Sequence, residues 1–351
     1  MQLSPVAVIF IIFDDVSIRS TCATHLRKQS DYMKDRFGRM IDYMRISITD
    51  RCNLHCSYCR PEIPEHLDQS ELLSYGEILR VCRAAVRLGI TKFKITGGEP
   101  FVRNGVTGFI GKLASVCGVT SVTVTTNATL LTPDVVTELK KSGLDGINIS
   151  LDTINPDKYC MITGADYSNK VMENIDLCYR AGLNVKINTV MLNDLSEYEI
   201  LTLAKLAENR DISVRFIEKM PMGATGDTGP SGQYVKDVLA GHGIKLIPET
   251  ERIGNGPAVY FRPEGYKGHI GFIEAIHGKF CSSCNRIRMT STGFVKPCLY
   301  YPDGLDIRRL LRNGADDKEI SEKLRDIIYM KPGSHNFEGG PSSENMSTIG
   351  G

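Results

Sequence analysis

Between residues 40 and 220, short β-rich runs alternate with amphipathic helical stretches, and this alternation restricts the chain to a small set of folds. The predicted strands are Tyr43–Thr49, Lys92–Thr96, Ser121–Thr126, Gly146–Asp152, Asn184–Met191 and Ile212–Glu218. The predicted helices between them are Tyr75–Leu88, Val106–Val116, Pro133–Lys141, Tyr167–Arg180 and Leu195–Asn209. Thr132-Pro133 reads as an N-cap followed by proline in the first turn, and Gly89, Gly143 and Gly182 read as helix stops. Strand–helix–strand steps take right-handed crossovers, so six such units build a parallel sheet. Six are too few for a full eightfold barrel. Polar residues gather at every strand exit: Asp50-Arg51-Cys52, Gly97-Gly98-Glu99-Pro100, Thr125-Thr126-Asn127, Ser150 with Asp152, Asn188, and Arg215 with Glu218. An open doubly wound sheet uses chiefly one switch point, whereas a barrel shares its site among many strand ends. The expected fold is therefore α/β, a partial (β/α)6 barrel of TIM type.

The 351 residues carry 42 Lys+Arg against 41 Asp+Glu, a formal charge of +1, which argues against a sequence-independent nucleic-acid binder. A local basic pocket for a phosphorylated small molecule stays compatible with that balance. The longest apolar run, Val6–Phe13, has eight residues, well short of the roughly 18 that a membrane span needs. It has no basic segment before it and no small-residue cleavage site after it, so residues 1–35 read as an extension outside the fold and the protein as cytoplasmic. Residues 36–222 form the expected barrel core and 223–330 a C-terminal region that closes it. A short helix near Tyr234–Leu239, strands Ala258–Arg262 and Ile270–Ile276, and helices near Leu305–Leu311 and Asp317–Tyr329 are predicted there. The polar, Gly/Ser-rich stretch 331–351 reads as a mobile tail ending in Gly350-Gly351.

Eleven cysteines, an odd count, fit a disulfide framework poorly, and six of them fall in two clusters. Cys52-x3-Cys56-x2-Cys59 puts three thiolates on one loop, each able to hold one iron of a four-iron cubane while the fourth iron stays open to a small molecule. Zinc with His55 as fourth ligand is the alternative. The two glycines of Gly97-Gly98-Glu99-Pro100 let backbone approach a ligand closely, and Glu99 can accept from an ammonium group. Cys281-x2-Cys284, then thirteen residues to Cys298, offers a second three-thiolate set, with zinc completed by His277 as its alternative. Arg286 and Arg288 would share one face of a strand and form a fork for phosphate or carboxylate. Cys82, Cys117 and Cys178 lie in or near apolar helix faces, and with Cys22 and Cys160 are read as packing residues or part of the extension.

The cysteine loop after the first strand, with Tyr58 before its last cysteine, and the Gly-Gly-Glu-Pro turn after the second strand resemble the radical S-adenosylmethionine superfamily. Asp35-Arg36-Phe37-Gly38-Arg39, Arg45-x-Ser47-x-Thr49-Asp50-Arg51-Cys52-Asn53, Val214-Arg215-Phe216-Ile217-Glu218, the Cys281 cluster and the double-glycine end resemble its GTP-cyclising branch, which opens molybdenum cofactor biosynthesis. The resemblance covers some nine-tenths of the chain. It implies a [4Fe–4S] cluster on Cys52, Cys56 and Cys59 that chelates S-adenosylmethionine, and a second [4Fe–4S] cluster on Cys281, Cys284 and Cys298 that meets the guanine of GTP. Tyr58, Gly98, Ser150 and Met220 would line the S-adenosylmethionine site. Arg45, Lys94, Thr125, Lys186, Arg286, Ile287 and Arg288 would hold the nucleotide, with Arg215, Glu99, Gly350 and Gly351 as further candidates. Many members of the branch carry an arginine where Lys94 stands. The implied reaction cleaves S-adenosylmethionine reductively, removes the ribose 3′ hydrogen and joins that carbon to C8 of guanine. The two open clusters are expected to face each other across the barrel mouth. Implied partners are GTP, an electron donor such as a flavodoxin-type reductase, and cyclic pyranopterin monophosphate synthase as recipient of the product; the chain itself would be a monomer or a homodimer, with no nucleic-acid or membrane partner.

Overall fold

The computed structural model describes residues 33–59, 67–222, 227–337, 340 and 342, and its frame is a single twelve-stranded sheet. Strands β1 (Tyr43–Ser47), β2 (Lys92–Thr96), β3 (Ser121–Thr126), β4 (Gly146–Ser150), β5 (Val185–Met191) and β6 (Ser213–Glu218) pair in chain order and all in parallel. The later strands are β7 (Leu246–Pro248), β8 (Val259–Pro263), β9 (His269–Ile273), β10 (Arg286–Met289), β11 (Phe294–Lys296) and β12 (Leu305–Asp306). Of these, β9 adds in parallel to the β6 edge and β10 in parallel to the β1 edge. β8 and β7 continue outward antiparallel from β9, and β11 and β12 from β10. The C-terminal region thus extends the six-stranded partial barrel on both of its edges.

Alternation along the strands sorts side chains between two environments. Ile46, Phe93, Ile95, Val122, Val124, Ile147, Ile149, Ile187, Val214 and Phe216 point outward into one continuous core beneath the helices. Arg45, Lys94, Thr123, Thr125, Asn148, Lys186 and Arg215 take the other parity and face inward. The helices Tyr75–Arg87, Val106–Ala114, Pro133–Lys141, Ser168–Arg180 and Glu197–Lys205 lie within or near their predicted bounds. Thr132 caps its helix through Val135 N (3.3 Å), and Gly89, Gly143 and Gly182 follow theirs with φ of 88°, 74° and 71°. One further helix, Pro156–Thr163, follows β4; Asn155 caps it by accepting from Lys158 N at 3.0 Å. Its eight residues bury only Tyr159, Ile162 and Thr163, too few to show a helical period in the sequence.

Two boundaries differ from the sequence reading. Residues 33–35 belong to the fold rather than to an extension: Met33 N donates to Leu88 O (3.2 Å), Ile41 N donates to Met33 O (3.1 Å), and Asp35 is buried. Residues 331–337 are packed against the C-terminal strands rather than mobile, with Lys331 only 2% exposed. The remaining tail positions other than 340 and 342, including Gly350 and Gly351, lie outside the described residues. Cys82 and Cys178 are buried, as core thiols should be, whereas Cys160 is exposed.

Because Phe93 is fully buried on the outer face of β2, Phe93→Ala should cost about 3–5 kcal/mol by denaturant unfolding while leaving the inward-facing residues in place.

Candidate active site between two cysteine triads

β1 ends at Ser47, and the chain then turns through Asp50 to Cys59. The Gly97-Gly98 turn lies against that loop. Gly98 N donates to Thr49 O and Glu99 N to Arg51 O, both at 2.8 Å. A Cβ on Gly98 would stand 2.4 Å from Arg51 O, so only glycine fits here. On its other side the cysteine loop is held by the Pro156–Thr163 helix, where His55 N and Ser57 N donate to Thr163 O and Ile162 O at 2.9 Å each. Glu99 does not reach the cavity as an ammonium acceptor. Its buried carboxylate accepts from Phe101 N (3.1 Å), Thr126 Oγ1 (2.8 Å) and Asn127 N (2.7 Å), bracing the β2 exit against the β3 exit. Burial pushes its carboxyl up to about 7 in spite of those donors. Tyr58 donates its hydroxyl to Asp152 Oδ2 at 2.6 Å, and Asp152 Oδ1 accepts from Val190 N at 2.8 Å, which ties the cysteine loop to the ends of β4 and β5. Burial raises the Asp152 carboxyl to about 6.

A cavity of about 320 Å³ opens from this loop into the lumen, within the size range of small-molecule sites. Seven Lys and Arg residues line it: Arg45, Lys94, Arg215, Lys219, Arg286, Arg288 and Lys331. In register, Arg45 sits between Lys94 and Arg288 on neighbouring strands. Arg215 donates to Asn148 Oδ1 at 2.5 Å and also to Asn188 Oδ1, so both asparagines orient the guanidinium. Buried Nε atoms of Arg215 and Arg286 and the Thr125 hydroxyl have no protein partner, as expected of groups that await a polar ligand. Among the described lining residues the carboxylates are Asp152 and Glu218. Glu218 is already taken up by His277 Nδ1 and by the backbone N–H of Ile276 and His277. Lys94 is held well below the ordinary lysine value by burial and by the charges of Arg215, Arg45, Lys186 and Arg286.

The second triad stands at the other end of β1. The turn Phe280–Ser283 carries Cys281, closed by Cys284 N donating to Cys281 O at 3.1 Å, and leads directly into β10. Since Tyr43 aligns with Arg286 and Arg45 with Arg288, Cys284 precedes the amino end of the paired strands while Cys52 follows the carboxyl end of β1. A strand length, roughly 17 Å, separates the two loops along that axis. Both triads line the same cavity. The expectation that they face each other across the barrel mouth is thus corrected: they face each other along the lumen. Burial would raise the Cys284 thiol, but the charges of Arg286 and Lys331 outweigh it and bring the group down to about 7.

Cys52, Cys56, Cys59, Cys281, Cys284 and Cys298 all reach the cavity, as do Tyr58, Gly98, Ser150, Met220, Arg45, Lys94, Thr125, Arg215, Arg286 and Arg288. Two expected nucleotide contacts do not. Ile287 has the opposite parity to Arg286 and Arg288, and its side chain is fully buried in the outer core. Lys186 lies deeper, with Nζ 5.4 Å from the ring centre of Tyr260 and 2.6 Å from where a Gly254 Cβ would be. Sequence reasoning missed Lys331, His335 and Phe337, which line the second triad's end of the cavity. Nothing in their polar, Gly/Ser-rich surroundings marks them.

Among the described residues no three His, Cys, Asp or Glu side chains converge as a single metal ion requires. Cubane ligation asks for something else, since each thiolate takes a different iron and the sulfurs stand apart. His55 is exposed and absent from the cavity lining, and His277 is engaged by Glu218, so neither adjoins its triad as a fourth ligand. Three thiolates per site fit an iron–sulfur cluster with one open iron.

Lys186 yields a test of the lumen's charge crowding. Burial, then Arg215, lowers it from 10.5 to about 8. The unfolded chain therefore binds the extra proton between those values, and stability of the ligand-free protein should rise with pH from about 8 towards 10. Thermal unfolding of Lys186→Met across the same range should lack that part of the rise.

The Radical SAM superfamily profile matches residues 46–207, and the Molybdenum Cofactor Synthesis C profile matches residues 212–337. The GTP 3′,8-cyclase of Clostridium perfringens (strain SM101 / Type A) is 41% identical over 315 residues, covering 87% of this chain and 95% of that protein. The GTP 3′,8-cyclase of Alkaliphilus oremlandii (strain OhILAs) is 42% identical over 326 residues, covering 91% and 100%. Streptococcus suis SuiB bound to S-adenosylmethionine superposes with a TM-score of 0.58 at 16% identity, over 90% of this chain and 75% of that one. Native anSMEcpe with bound AdoMet gives 0.55 at 14%, over 88% and 92%. At such identities the two structures speak for the shared partial-barrel fold alone. The long alignments with the cyclases go further, and by them this chain belongs to the GTP 3′,8-cyclase family of the radical S-adenosylmethionine superfamily.

Proposed function

We propose that this chain converts GTP to (8S)-3′,8-cyclo-7,8-dihydroguanosine 5′-triphosphate, the first step of molybdenum cofactor biosynthesis, in the lumen between two [4Fe–4S] clusters. The observation that carries the reading is the row Arg45, Lys94, Arg215, Arg286 and Arg288, with Arg215 and Arg288 buried, between two three-cysteine loops in one cavity. Residues 33–222 then act as the core that holds S-adenosylmethionine, and the C-terminal region through residue 337 as the part that holds the second cluster. What a reduced cluster and bound S-adenosylmethionine supply is an organic radical able to abstract hydrogen. Everything else falls to the chain.

Cys52, Cys56 and Cys59 would hold the first cluster, and three protein thiolates for four irons would leave one iron available to S-adenosylmethionine. Gly98, whose missing Cβ lets the turn close on Arg51 O of the cysteine loop, lines the methionine end, while Tyr58, Ser150 and Met220 line the rest of that site. A triphosphate carries about four negative charges, and its desolvation is offset only by several cations at close range. Arg45, Lys94, Arg215, Arg286 and Arg288 supply them, and Thr125 adds a hydroxyl donor. The guanine end would then lie towards Cys281, Cys284 and Cys298, with the ribose between the clusters, so that position rather than acid–base chemistry selects the hydrogen removed. Phe337 and the lumen walls keep water from the radical. An external one-electron donor of flavodoxin type, and cyclic pyranopterin monophosphate synthase as recipient of the product, complete the reading.

Anaerobically reconstituted protein should contain about eight irons per chain and form 5′-deoxyadenosine in a GTP-dependent manner. Turnover on a peptide with no response to GTP would refute the assignment. Because burial and its cationic neighbours hold Lys94 well below the ordinary lysine value, it gives up its charge at a lower pH than an exposed lysine, so KM for GTP should climb as the pH is raised. Lys94→Arg keeps its charge there and should flatten that climb.

A further inference from the structure

The Asp35-Arg36-Phe37-Gly38-Arg39 motif has no place in the chemistry above, yet its arginine reaches the second triad. Arg39 Nε donates to Asp35 Oδ2 at 2.6 Å, Nη1 to Cys281 O at 2.7 Å and Gly333 O at 3.0 Å, and Nη2 to Pro332 O at 2.6 Å. The pair is buried, with Arg39 8% and Asp35 4% exposed. Asp35 Oδ1 also accepts from Phe37 N (2.9 Å) and Arg39 N (3.0 Å), which makes the turn rigid. Phe37 in turn lies under Gly333, where an added Cβ would stand 3.1 Å from its ring. One planar guanidinium therefore fixes a carbonyl of a cluster cysteine and two carbonyls of the segment that overlies it. Lys331, next in that segment, donates from Nζ to Arg286 O at 2.9 Å and to Pro297 O, on the residue before Cys298. The side-chain hydrogen bonds of Arg39 go to Asp35, Cys281, Pro332 and Gly333, none of which lies in the loop 52–59.

We propose that Arg39, charge-balanced by Asp35, is a positioning residue that sets the Cys281 loop and seats residues 331–333 over the second cluster, so that it is needed for the second cluster and not for the first. This rests on the two-cluster reading above. A bound cluster requires its three sulfurs at fixed spacing, and groups that hold ligand-bearing backbone commonly control retention of the metal. Replacing the arginine frees Cys281 O, Pro332 O and Gly333 O together and leaves the Asp35 carboxylate buried without its counter-charge.

The test is anaerobic reconstitution of full-length wild type, Arg39→Met, Arg39→Lys, Asp35→Asn and Cys281→Ser, followed by iron and sulfide counts. Electron paramagnetic resonance spectra of the reduced proteins are recorded alone, with S-adenosylmethionine and with GTP. Arg39→Met should fall from about eight irons to about four, keep the spectral change caused by S-adenosylmethionine and lose the one caused by GTP. Arg39→Lys should retain an intermediate amount, because an ammonium group lacks the fork that serves three carbonyls. Asp35→Asn should shift in the same direction by less. A full iron complement with an intact GTP response in Arg39→Met would overturn the proposal, as would loss of both clusters together, which marks a general folding role. Wild type with only about four irons, or Cys281→Ser with an unchanged count, would instead sink the two-cluster reading itself.

Discussion

Parallel pairing of β10 with β1 is the interaction on which the site depends. It brings a strand from the far end of the chain against the first strand of the barrel, in the register Tyr43↔Arg286 and Arg45↔Arg288. Three consequences follow from that one ladder. Cys284 comes to the amino end of a strand whose carboxyl end leads to Cys52, so the two thiolate loops are spaced by the strand itself. Arg286 and Arg288 enter the lumen beside Arg45, because parity in parallel strands is preserved across the pair. The β1 edge, which would otherwise expose unpaired backbone groups, is covered. A one-residue slip would turn both arginines outward and bring Ile287 into the lumen.

Such a lumen is electrostatically costly when empty. Arg288 is pushed well below the ordinary arginine value by burial and then by Arg45 and Arg286, and Lys94 responds in the same way to its own neighbours. Cations this close lower one another's charge affinity unless an anion lies among them. The carboxylates on the lining do not serve, since Asp152 is committed to Tyr58 and Val190, and Glu218 to His277 and the backbone beside it. The outer core beneath the helices, which takes the opposite parity of the same strands, supplies the stability that holds this arrangement together. Each strand thus carries the apolar driving force on one face and the repulsion on the other.

How far the sequence discloses this differs by element. Local signals served well: the period-2 strands, the Thr132 cap, the glycine stops, and the cysteine spacing all act within a few residues. Ile287 is instructive because its signal was present. If Arg286 and Arg288 share a face, the residue between them cannot, and strand parity alone excludes its side chain from the lumen. Glu99 is different. Its carboxylate is taken by Thr126 and Asn127, some 27 residues on, and no local pattern separates a brace from a ligand contact. Lys186 has inward parity, as expected, but parity does not report depth, and the residue lies below the cavity against Tyr260. Residues 331–337 were hidden by composition, since polar, glycine-bearing sequence reads as tail wherever its partners are far away.

The two cysteine sites also differ in what holds them, and chain distance is the measure. The first loop is anchored by Thr49, Glu99, Asp152 and the Pro156–Thr163 helix, all within the six strand–helix units whose strands pair with their neighbours in sequence. The second is anchored by Arg39 and Lys331, with separations of 242 residues from Arg39 to Cys281 and 294 to Gly333. Closing a longer loop adds entropy only logarithmically, so stability alone does not penalise the second site heavily. Its geometry, however, depends on residues at both ends of the chain arriving together, whereas the braces named for the first cysteine loop all lie within β1 to β5 and their helices. A barrel whose first cysteine loop is braced within its own core, and whose second is held by contacts between far-separated residues, keeps the two loops on physically separable supports.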